Sequence, residues 1–218
     1  MKFRAINYDS DRGNWRLFSD CLRLLVARTV DEIPALLAEA ELSLSELDGL
    51  AFACGPGSFT GVRIATSVIQ GVALAADLPV IPVSSLQALA QSAIGQGAER
   101  VLAGFDARMQ EVYWATYVRD PSGFAISDTS EQLLKPDDIV PPEQGNWVGI
   151  GSAWETYQEV LAMHLGDRLE RVIEHAMVHA ADVARLAEPR LRAGEGVDAA
   201  HALPVYLRDQ VAQKSLKR

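Results

Sequence analysis

The chain has 218 residues, of which 49% are apolar and 22% are charged, and its net charge is −9. These fractions are typical of a folded globular protein, and the acidic balance excludes strong nucleic-acid binding by the chain alone, because phosphate contacts need a basic surface. No apolar run approaches the roughly 18 residues that span a bilayer, and no secretory signal is evident, so we expect a cytoplasmic protein without a membrane partner. Cys21 and Cys54 offer neither a disulfide framework nor zinc-ligand spacing, which predicts free thiols.

Apolar patterns and turn residues predict strands alternating with helices along the chain. This order is typical of an α/β fold built from two similar lobes. The glycine-containing stretch at residues 95–98 marks the boundary, so residues 1–97 form an N-terminal lobe and residues 98–218 a C-terminal lobe. The predicted strands are 50–54, 80–83, 101–105, 111–117, 124–127 and 147–150, and the predicted helices are 30–40, 59–76, 84–91, 153–163 and 180–192.

A glycine-rich loop joins the buried strand at 50–54 to the long helix at 59–76. The first-turn amides of a helix can hold an anion, so one interpretation of the loop is a phosphate or nucleotide site. Known phosphate motifs do not fit, because Gly61 is followed by Val62 and Arg63 rather than by Lys and then Ser or Thr. The other interpretation, equally favoured, is that the loop is a turn with a purely structural role. The candidate phosphate or nucleotide contacts are Gly55, Gly57, Ser58, Thr60 and Asp106.

The helix at 59–76 carries a face of small and apolar residues. Small side chains allow another helix to approach closely. The face either packs on the chain's own sheet or forms an interface with another chain. The predicted partner interface consists of Gly61, Ile64, Ala65, Val68, Gly71, Val72 and Ala75.

The sequence offers few candidates for catalysis. His175 and His179 are four residues apart, but Ala176 stands where a metalloprotease helix has Glu, so we predict no metal site. Asp106 follows a strand and is expected either to cap the next turn or to bind Mg²⁺ with a nucleotide; the cap is favoured. Nothing assembles a nucleophile, a base and an anion hole, so no catalytic residue is predicted.

Three segments resemble the signature motifs of the TsaB (YeaZ) family. They are Gly55–Ile64 (GPGSFTGVRI), Phe105–Trp114 (FDARMQEVYW) and Pro204–Arg208 (PVYLR). Residues from about 28 to 218 follow the family's order, which is about nine-tenths of the chain. The first motif is the most specific of the three.

The resemblance implies an actin-like/sugar-kinase fold, of ribonuclease H-like type, with two lobes of β-β-β-α-β-α topology. It also implies a non-catalytic scaffold subunit that pairs with and activates a TsaD-type catalytic subunit, which adds threonylcarbamoyl to the tRNA adenosine next to the anticodon. A TsaE-type ATPase joins the pair, tRNA contacts the chain only through the complex, and the chain has no cofactor of its own, although ATP or ADP is expected in the assembly. The first two helices are the family's pairing surface, which also forms homodimers. The glycoprotease-like label of such chains does not suit a sequence without the metal-binding histidines.

The first 26 residues depart from the family pattern. The usual opening strand corresponds at best to Ala5-Ile6-Asn7-Tyr8, and the Arg-x-His before the first helix appears as Arg28-Thr29-Val30. We therefore expect the first lobe to lack its opening hairpin, through either a gene-start artefact or true divergence. A lost central strand would leave backbone groups of its neighbours unpaired.

Two hypotheses of different classes follow. The first is the scaffold subunit, which acts through its helical face. The second is an actin-like phosphotransferase or hydrolase that acts on a small molecule with Asp106 and the glycine loop around a phosphate. Asn7 counts against the second, because a kinase of this fold needs acidic residues on the first strands of both lobes.

Overall fold

The computed structural model describes residues 32–208. The predictions that concern Asn7, Cys21, the missing opening hairpin and the start of the first helix lie outside the described residues. A helix, α1, covers residues 32–39, within the predicted 30–40. A short 3-10 helix at Leu44–Glu46 then leads to the first strand.

The first sheet has two parallel strands, β1 (Leu50–Ala53) and β2 (Val80–Val83), joined by helix α2 (Phe59–Ala76). The apolar run predicts β1, and α2 begins at the N-cap Ser58, whose Oγ accepts a hydrogen bond from the amide of Gly61 at 3.4 Å. Asp77 ends α2 in the left-handed conformation, with φ of 53°. These local signals are strong, which is why the predicted bounds of α2 and β2 are confirmed.

The second sheet has six strands. The strands are β3 (Arg100–Arg108), β4 (Glu111–Arg119), β5 (Ala125–Ser127), β6 (Gln132–Leu134), β7 (Trp147–Ile150) and β8 (Leu169–Ile173). Their order is β5-β4-β3-β7-β8, with β6 also paired to β4. Strands β3 and β4 form an antiparallel hairpin, while β7 runs parallel to both β3 and β8.

Helices cover both faces of the second sheet. Helix α3 (Ser85–Gly95) packs on one face and α4 (Ser152–Leu165) on the other. Trp154 of α4 is buried and donates its indole N–H to the Leu102 carbonyl at 3.0 Å. Each large apolar side chain buried here stabilises the fold by about 1.5–3 kcal/mol. The result is a layered α/β architecture, as the alternation of predicted strands and helices indicates.

Helix α5 (Ala180–Arg192) returns to the first sheet, where Val183, Leu186 and Leu191 pack with Ile81 of β2. Beyond α5, Val197 forms an antiparallel bridge with Val80. Helix α2 covers the opposite face, so the first sheet also lies between helices. The lobe boundary at residue 97 stays a prediction.

Two strands, β6 and β8, are absent from the sequence-based prediction. Both lie at edges of the second sheet, and their residues are exposed or half-buried, so neither shows a continuous apolar run.

The expectation that no apolar run approaches membrane-spanning length is wrong for α2. The 18 residues Phe59–Ala76 have a mean hydropathy of 1.4, and 17% of them are buried. Arg63 and Gln70 interrupt the sequence pattern without lowering the mean below that of a spanning helix. Length and composition alone are weak evidence for a membrane span, because interface and core helices of globular proteins meet the same criterion.

Candidate functional site

The glycine loop packs against the end of the described chain. Gly55 has φ of 111°, and a Cβ at this position would lie 2.7 Å from the carbonyl oxygen of Val205. Val205 is held there because its amide donates to the Cys54 carbonyl at 2.8 Å. The Gly55 carbonyl accepts from the Ser85 amide at 2.9 Å, which joins the loop to α3. Glycine is therefore required at position 55 by conformation and by close packing.

The remaining loop residues have ordinary surroundings. A Cβ on Gly57 would meet only a methyl group of Val62, at 3.5 Å. Ser58 uses its hydroxyl to cap α2, and Thr60 is half-buried in the first turn. The structure thus shows a turn and a helix cap at this loop, while the predicted phosphate contact of its residues stays a prediction.

Asp106, in β3, caps the hairpin between β3 and β4. Its Oδ1 accepts from the Arg108 amide at 2.8 Å and from the Tyr157 hydroxyl at 3.4 Å, and its Oδ2 lies 3.0 Å from Arg108 Nη1. The Asp106 side chain is 9% exposed. Partial burial and the nearby Asp106 carboxylate raise the pKa of Tyr157. The favoured prediction, a capping role for Asp106, matches this geometry, and a nucleotide contact remains a prediction.

Three consecutive residues at the tip of this hairpin have left-handed backbone conformations. Arg108, Met109 and Gln110 have φ of 62°, 56° and 62°. Side chains other than glycine rarely adopt this conformation, so neighbouring contacts must stabilise it. Arg208 supplies them: its Nη2 donates to the Ala107 carbonyl at 3.1 Å, and its Nη1 lies 3.2 Å from the Met109 sulfur.

Arg208 also forms an ion pair, which is the most buried of those described within residues 32–208. Its Nη2 lies 2.7 Å from Glu111 Oε2, and the two side chains are 14% and 28% exposed. Low exposure reduces screening by water, which strengthens the attraction between the two charges, while their removal from water offsets part of that gain.

Residues 202–208, which we call the C-terminal segment, run along α2 before they reach the hairpin. The Gln70 amide donates to the Ala202 carbonyl at 3.1 Å, and Arg63 Nε donates to the Tyr206 hydroxyl at 3.0 Å. The Phe59 and Tyr206 rings lie 5.9 Å apart. The segment therefore connects α2, the glycine loop and the hairpin.

The three sequence motifs meet through this segment. Val205 contacts the first motif at Gly55, and Arg208 contacts the second motif at Ala107 and Glu111. The third motif thus contacts the other two, although 89 residues separate it from the second motif and still more separate it from the first. Sequence reasoning did not identify Arg63, Tyr206, Arg208 or Glu111 as site residues; the match of Pro204–Arg208 to a family motif was the one signal that pointed there.

The predicted interface residues of α2, which we call the small-residue face, are exposed or half-buried, and Ala65 among them packs against the chain's own core. Gly71 and Ala75 are exposed, and the other five members are half-buried. The buried residues of α2 are Val62, Thr66 and Ala73. Because successive helical residues are about 100° apart, the centre of the small-residue face lies opposite that buried side. This face is formed by Gly61, Ile64, Ala65, Val68, Gly71, Val72 and Ala75.

A polar cluster lies behind the glycine loop. The Glu131 carboxylate accepts hydrogen bonds from the hydroxyl groups of Ser84 and Tyr117. Burial, followed by the charge of Glu131, raises the pKa of Cys54 to about 11 and raises the pKa of Tyr117 above its usual range. The Cys54 thiol is therefore protonated at neutral pH, which makes it a poor nucleophile.

The two histidines that the sequence singles out, His175 and His179, both precede α5. His175 Nδ1 lies 3.5 Å from Glu155 Oε1, and His179 is the N-cap residue of α5. Across residues 32–208, no group of three metal-ligating side chains comes together.

Comparison with known proteins places the chain among relatives of similar length. A family model described as TsaD, tRNA N6-adenosine threonylcarbamoyltransferase, matches residues 21–216. The tRNA threonylcarbamoyladenosine biosynthesis protein TsaB of Escherichia coli (strain K12) is 40% identical over 206 residues, which cover 91% of this chain and 87% of that protein. The TsaB protein of Haemophilus influenzae is 35% identical over 198 residues, which cover 87% of this chain and 82% of that one.

Two solved structures share the fold. YeaZ from Pseudomonas aeruginosa is 43% identical with a TM-score of 0.78, over 85% of each chain. An uncharacterized Pseudomonas aeruginosa protein with similarity to peptidase YeaZ has a TM-score of 0.77 at 43% identity, over 84% of this chain and 83% of that one.

The fold, the joined motifs and these matches define an actin-like α/β protein with a TsaD-type domain. Within that class the chain belongs to the TsaB (YeaZ) family, and its role lies in the biosynthesis of threonylcarbamoyladenosine in tRNA.

Proposed function

We propose that this chain is a non-catalytic subunit that pairs, through the small-residue face of α2, with a TsaD-type catalytic subunit of the tRNA threonylcarbamoyl-transfer machinery. It acts in the cytoplasm and contacts tRNA only within that complex, which a TsaE-type ATPase joins. A nucleotide, ATP or ADP, belongs to the assembled complex rather than to this chain alone.

The observation that carries the proposal is the exposure of an apolar helix. Only 17% of the residues of α2 are buried, and the others are half-buried or exposed, although the mean hydropathy of the helix is 1.4. An apolar surface left open to water on a folded chain marks an interaction site. Small residues at its centre, such as Gly71 and Ala75, let a partner helix come close enough for extensive van der Waals contact.

The proposal that the chain is not a catalyst rests on the contacts and protonation of its candidate reactive side chains. Asp106 is engaged by the backbone and side chain of Arg108, Ser58 caps α2, and the raised pKa of Cys54 keeps its thiol protonated. The partners of Asp106 and Ser58 and the protonation of Cys54 support a scaffold over a phosphotransferase or hydrolase.

Pairing is tested with Val68→Glu. Val68 is half-buried near the centre of the small-residue face, and a helix partner would desolvate a carboxylate placed there without supplying a counter-charge. We expect the affinity for a TsaD-type subunit to fall more than about 100-fold, which corresponds to about 3–5 kcal/mol. Isothermal titration calorimetry and light scattering after gel filtration measure the affinity and stoichiometry.

The matched control is Val140→Glu, since Val140 is 84% exposed and lies outside α2. It should pair like the unmodified chain. If Val68→Glu pairs normally, the face is wrong. If the unmodified chain forms only homodimers or fails to pair, the scaffold role is refuted.

Catalysis is tested separately by ATP hydrolysis with the purified chain alone. We expect no turnover above background. Turnover that survives purification and disappears in Asp106→Ala would favour the phosphotransferase or hydrolase hypothesis over the scaffold.

A further inference from the structure

Arg63, on α2, is held in one orientation by two aromatic rings. Its guanidinium carbon lies 3.7 Å from the centre of the Phe59 ring and 5.8 Å from the centre of the Tyr206 ring. Its Nε–H donates to the Tyr206 hydroxyl at 3.0 Å. These contacts fix the plane of the guanidinium group while leaving its terminal N–H donors free of the Tyr206 bond.

The charge of Arg63 is not neutralised within the described part of the chain. Arg108, Arg119 and Arg208 each have a carboxylate oxygen within 3.0 Å, whereas no carboxylate oxygen lies within 4.0 Å of Arg63 among residues 32–208. An exposed arginine that is already ordered by stacking loses little side-chain entropy when it binds a planar anion.

Arg63 lies on the flank of α2 that meets the C-terminal segment. It is about 140° around the helix axis from Val68, which is near the centre of the small-residue face. Phe59 is 49% exposed and Tyr206 is 43% exposed, and Leu203, in the same segment, is 57% exposed. A partner that covers this exposed flank as well as the small-residue face would meet a cation beside two aromatic rings.

We infer that Arg63, stacked on Phe59 and hydrogen-bonded to Tyr206, anchors a carboxylate side chain of the TsaD-type subunit at the edge of the paired helices. This inference rests on the proposed function and adds the chemistry of its partner. A guanidinium group pairs with a carboxylate through two parallel N–H···O bonds, and a surrounding apolar rim strengthens such a pair by excluding water. Arginine and tyrosine are the residue types that most often dominate binding energy at protein interfaces.

The test is the affinity for a TsaD-type subunit, measured by calorimetry at low and high salt for Arg63→Ala, Arg63→Lys and Arg63→Glu. We expect Arg63→Ala to weaken binding about 10- to 100-fold and to reduce its salt dependence. Arg63→Lys should recover part of this loss, because a lysine keeps the charge but lacks the planar fork. Arg63→Glu should bind more weakly than Arg63→Ala, because it places two carboxylates together.

The matched control is Arg185 of α5, an exposed arginine whose guanidinium carbon lies 5.7 Å from the centre of the Phe124 ring, away from α2. Arg185→Ala and Arg185→Glu should pair like the unmodified chain. Thermal unfolding of each variant alone reports whether the C-terminal segment has been released. In Tyr206→Phe, which keeps the ring and removes the hydroxyl, affinity should fall less than in Arg63→Ala.

The outcomes separate the inference from the proposed function. Rescue of Arg63→Glu by exchanging one Asp or Glu of the partner for Lys would identify the carboxylate and support the inference. Equal affinities for the Ala and Glu variants, or values within about twofold of the unmodified chain, would overturn it while the scaffold role stands. Normal pairing with weakened tRNA binding by the assembled pair would also overturn it, in favour of a base-stacking contact with RNA. Failure of the unmodified chain to pair would overturn both.

Discussion

Gly55→Ala tests whether the glycine loop serves to pack the C-terminal segment. The new methyl group would lie 2.7 Å from the Val205 carbonyl oxygen, on a residue whose φ is 111°. A backbone oxygen cannot move aside as a flexible side chain does, and the Val205 amide is bonded to the Cys54 carbonyl at 2.8 Å. The substitution therefore strains the backbone and displaces a hydrogen-bonded contact together.

The expected cost follows from these two effects. Holding an alanine at a positive φ of this size costs about 1–3 kcal/mol. Moving the Val205 carbonyl weakens one backbone hydrogen bond, which contributes about 1 kcal/mol. We expect Gly55→Ala to lower the free energy of unfolding by about 2–4 kcal/mol, which corresponds to a fall in Tm of about 5–15 °C for a chain of this length.

Urea unfolding, followed by tryptophan fluorescence and circular dichroism, measures this change. Gly57→Ala is the matched control, because its Cβ would make an ordinary 3.5 Å contact with Val62 and its φ is not left-handed. Its stability should stay within about 1 kcal/mol of the original. A second chain ending at Leu203 removes the Val205 carbonyl, so the penalty of Gly55→Ala should shrink to the backbone strain alone. Equal stabilities of the Gly55 and Gly57 variants would refute the packing role.

Two more predictions concern the groups around the loop. Arg208→Ala should lower the free energy of unfolding by about 1–3 kcal/mol, because Glu111 and the Ala107 carbonyl lose their partner. In urea titrations, adding Glu111→Gln should recover part of this loss. The absence of any recovery would argue against the ion pair. At pH 9 the native chain should hold about 50-fold less Cys54 thiolate than the unfolded chain, because burial raises the pKa from 9.0 to about 11. Alkylation of the Cys54 peptide, followed by mass spectrometry, should be slower by that order in the native chain. Because folding favours the protonated thiol, the contribution of Cys54 to stability is complete below pH 9 and is lost as pH rises through 11. Equal alkylation rates in the native and unfolded chains would contradict the burial of Cys54.

The fold could be predicted from the sequence where its signals are local. Ser58 and Ser84 cap α2 and α3, and short apolar runs form β1, β2 and β7. β8 was missed because Glu170 and Arg171 are exposed in the middle of the strand, which breaks the pattern expected of a buried one. An edge strand is specified largely by its neighbour's backbone, which a local pattern does not show.

The candidate site could be predicted only in part. Its motifs are visible as segments, but the bonds that join them are long-range: Arg63 and Tyr206 are 143 residues apart. No periodicity connects residues at that separation. The sequence identified Asp106 and Gly55 as residues of interest, while the reasons for their positions, the hairpin cap and the Val205 contact, appear only in three dimensions.

The C-terminal segment gives the motifs a shared physical role. Gly55 accommodates its Val205 carbonyl, the left-handed turn at Arg108 is held by Arg208, and Tyr206 orders Arg63 beside the small-residue face. These residue types would suit a phosphate cradle if considered singly. Together they fix the N-terminal end of α2 against both sheets, and a rigid, exposed helix binds a partner with less loss of conformational freedom than a mobile one. Preorganised in this way, the motifs would suit the scaffold role proposed above, in which the chain contributes the geometry of its contacts to a complex.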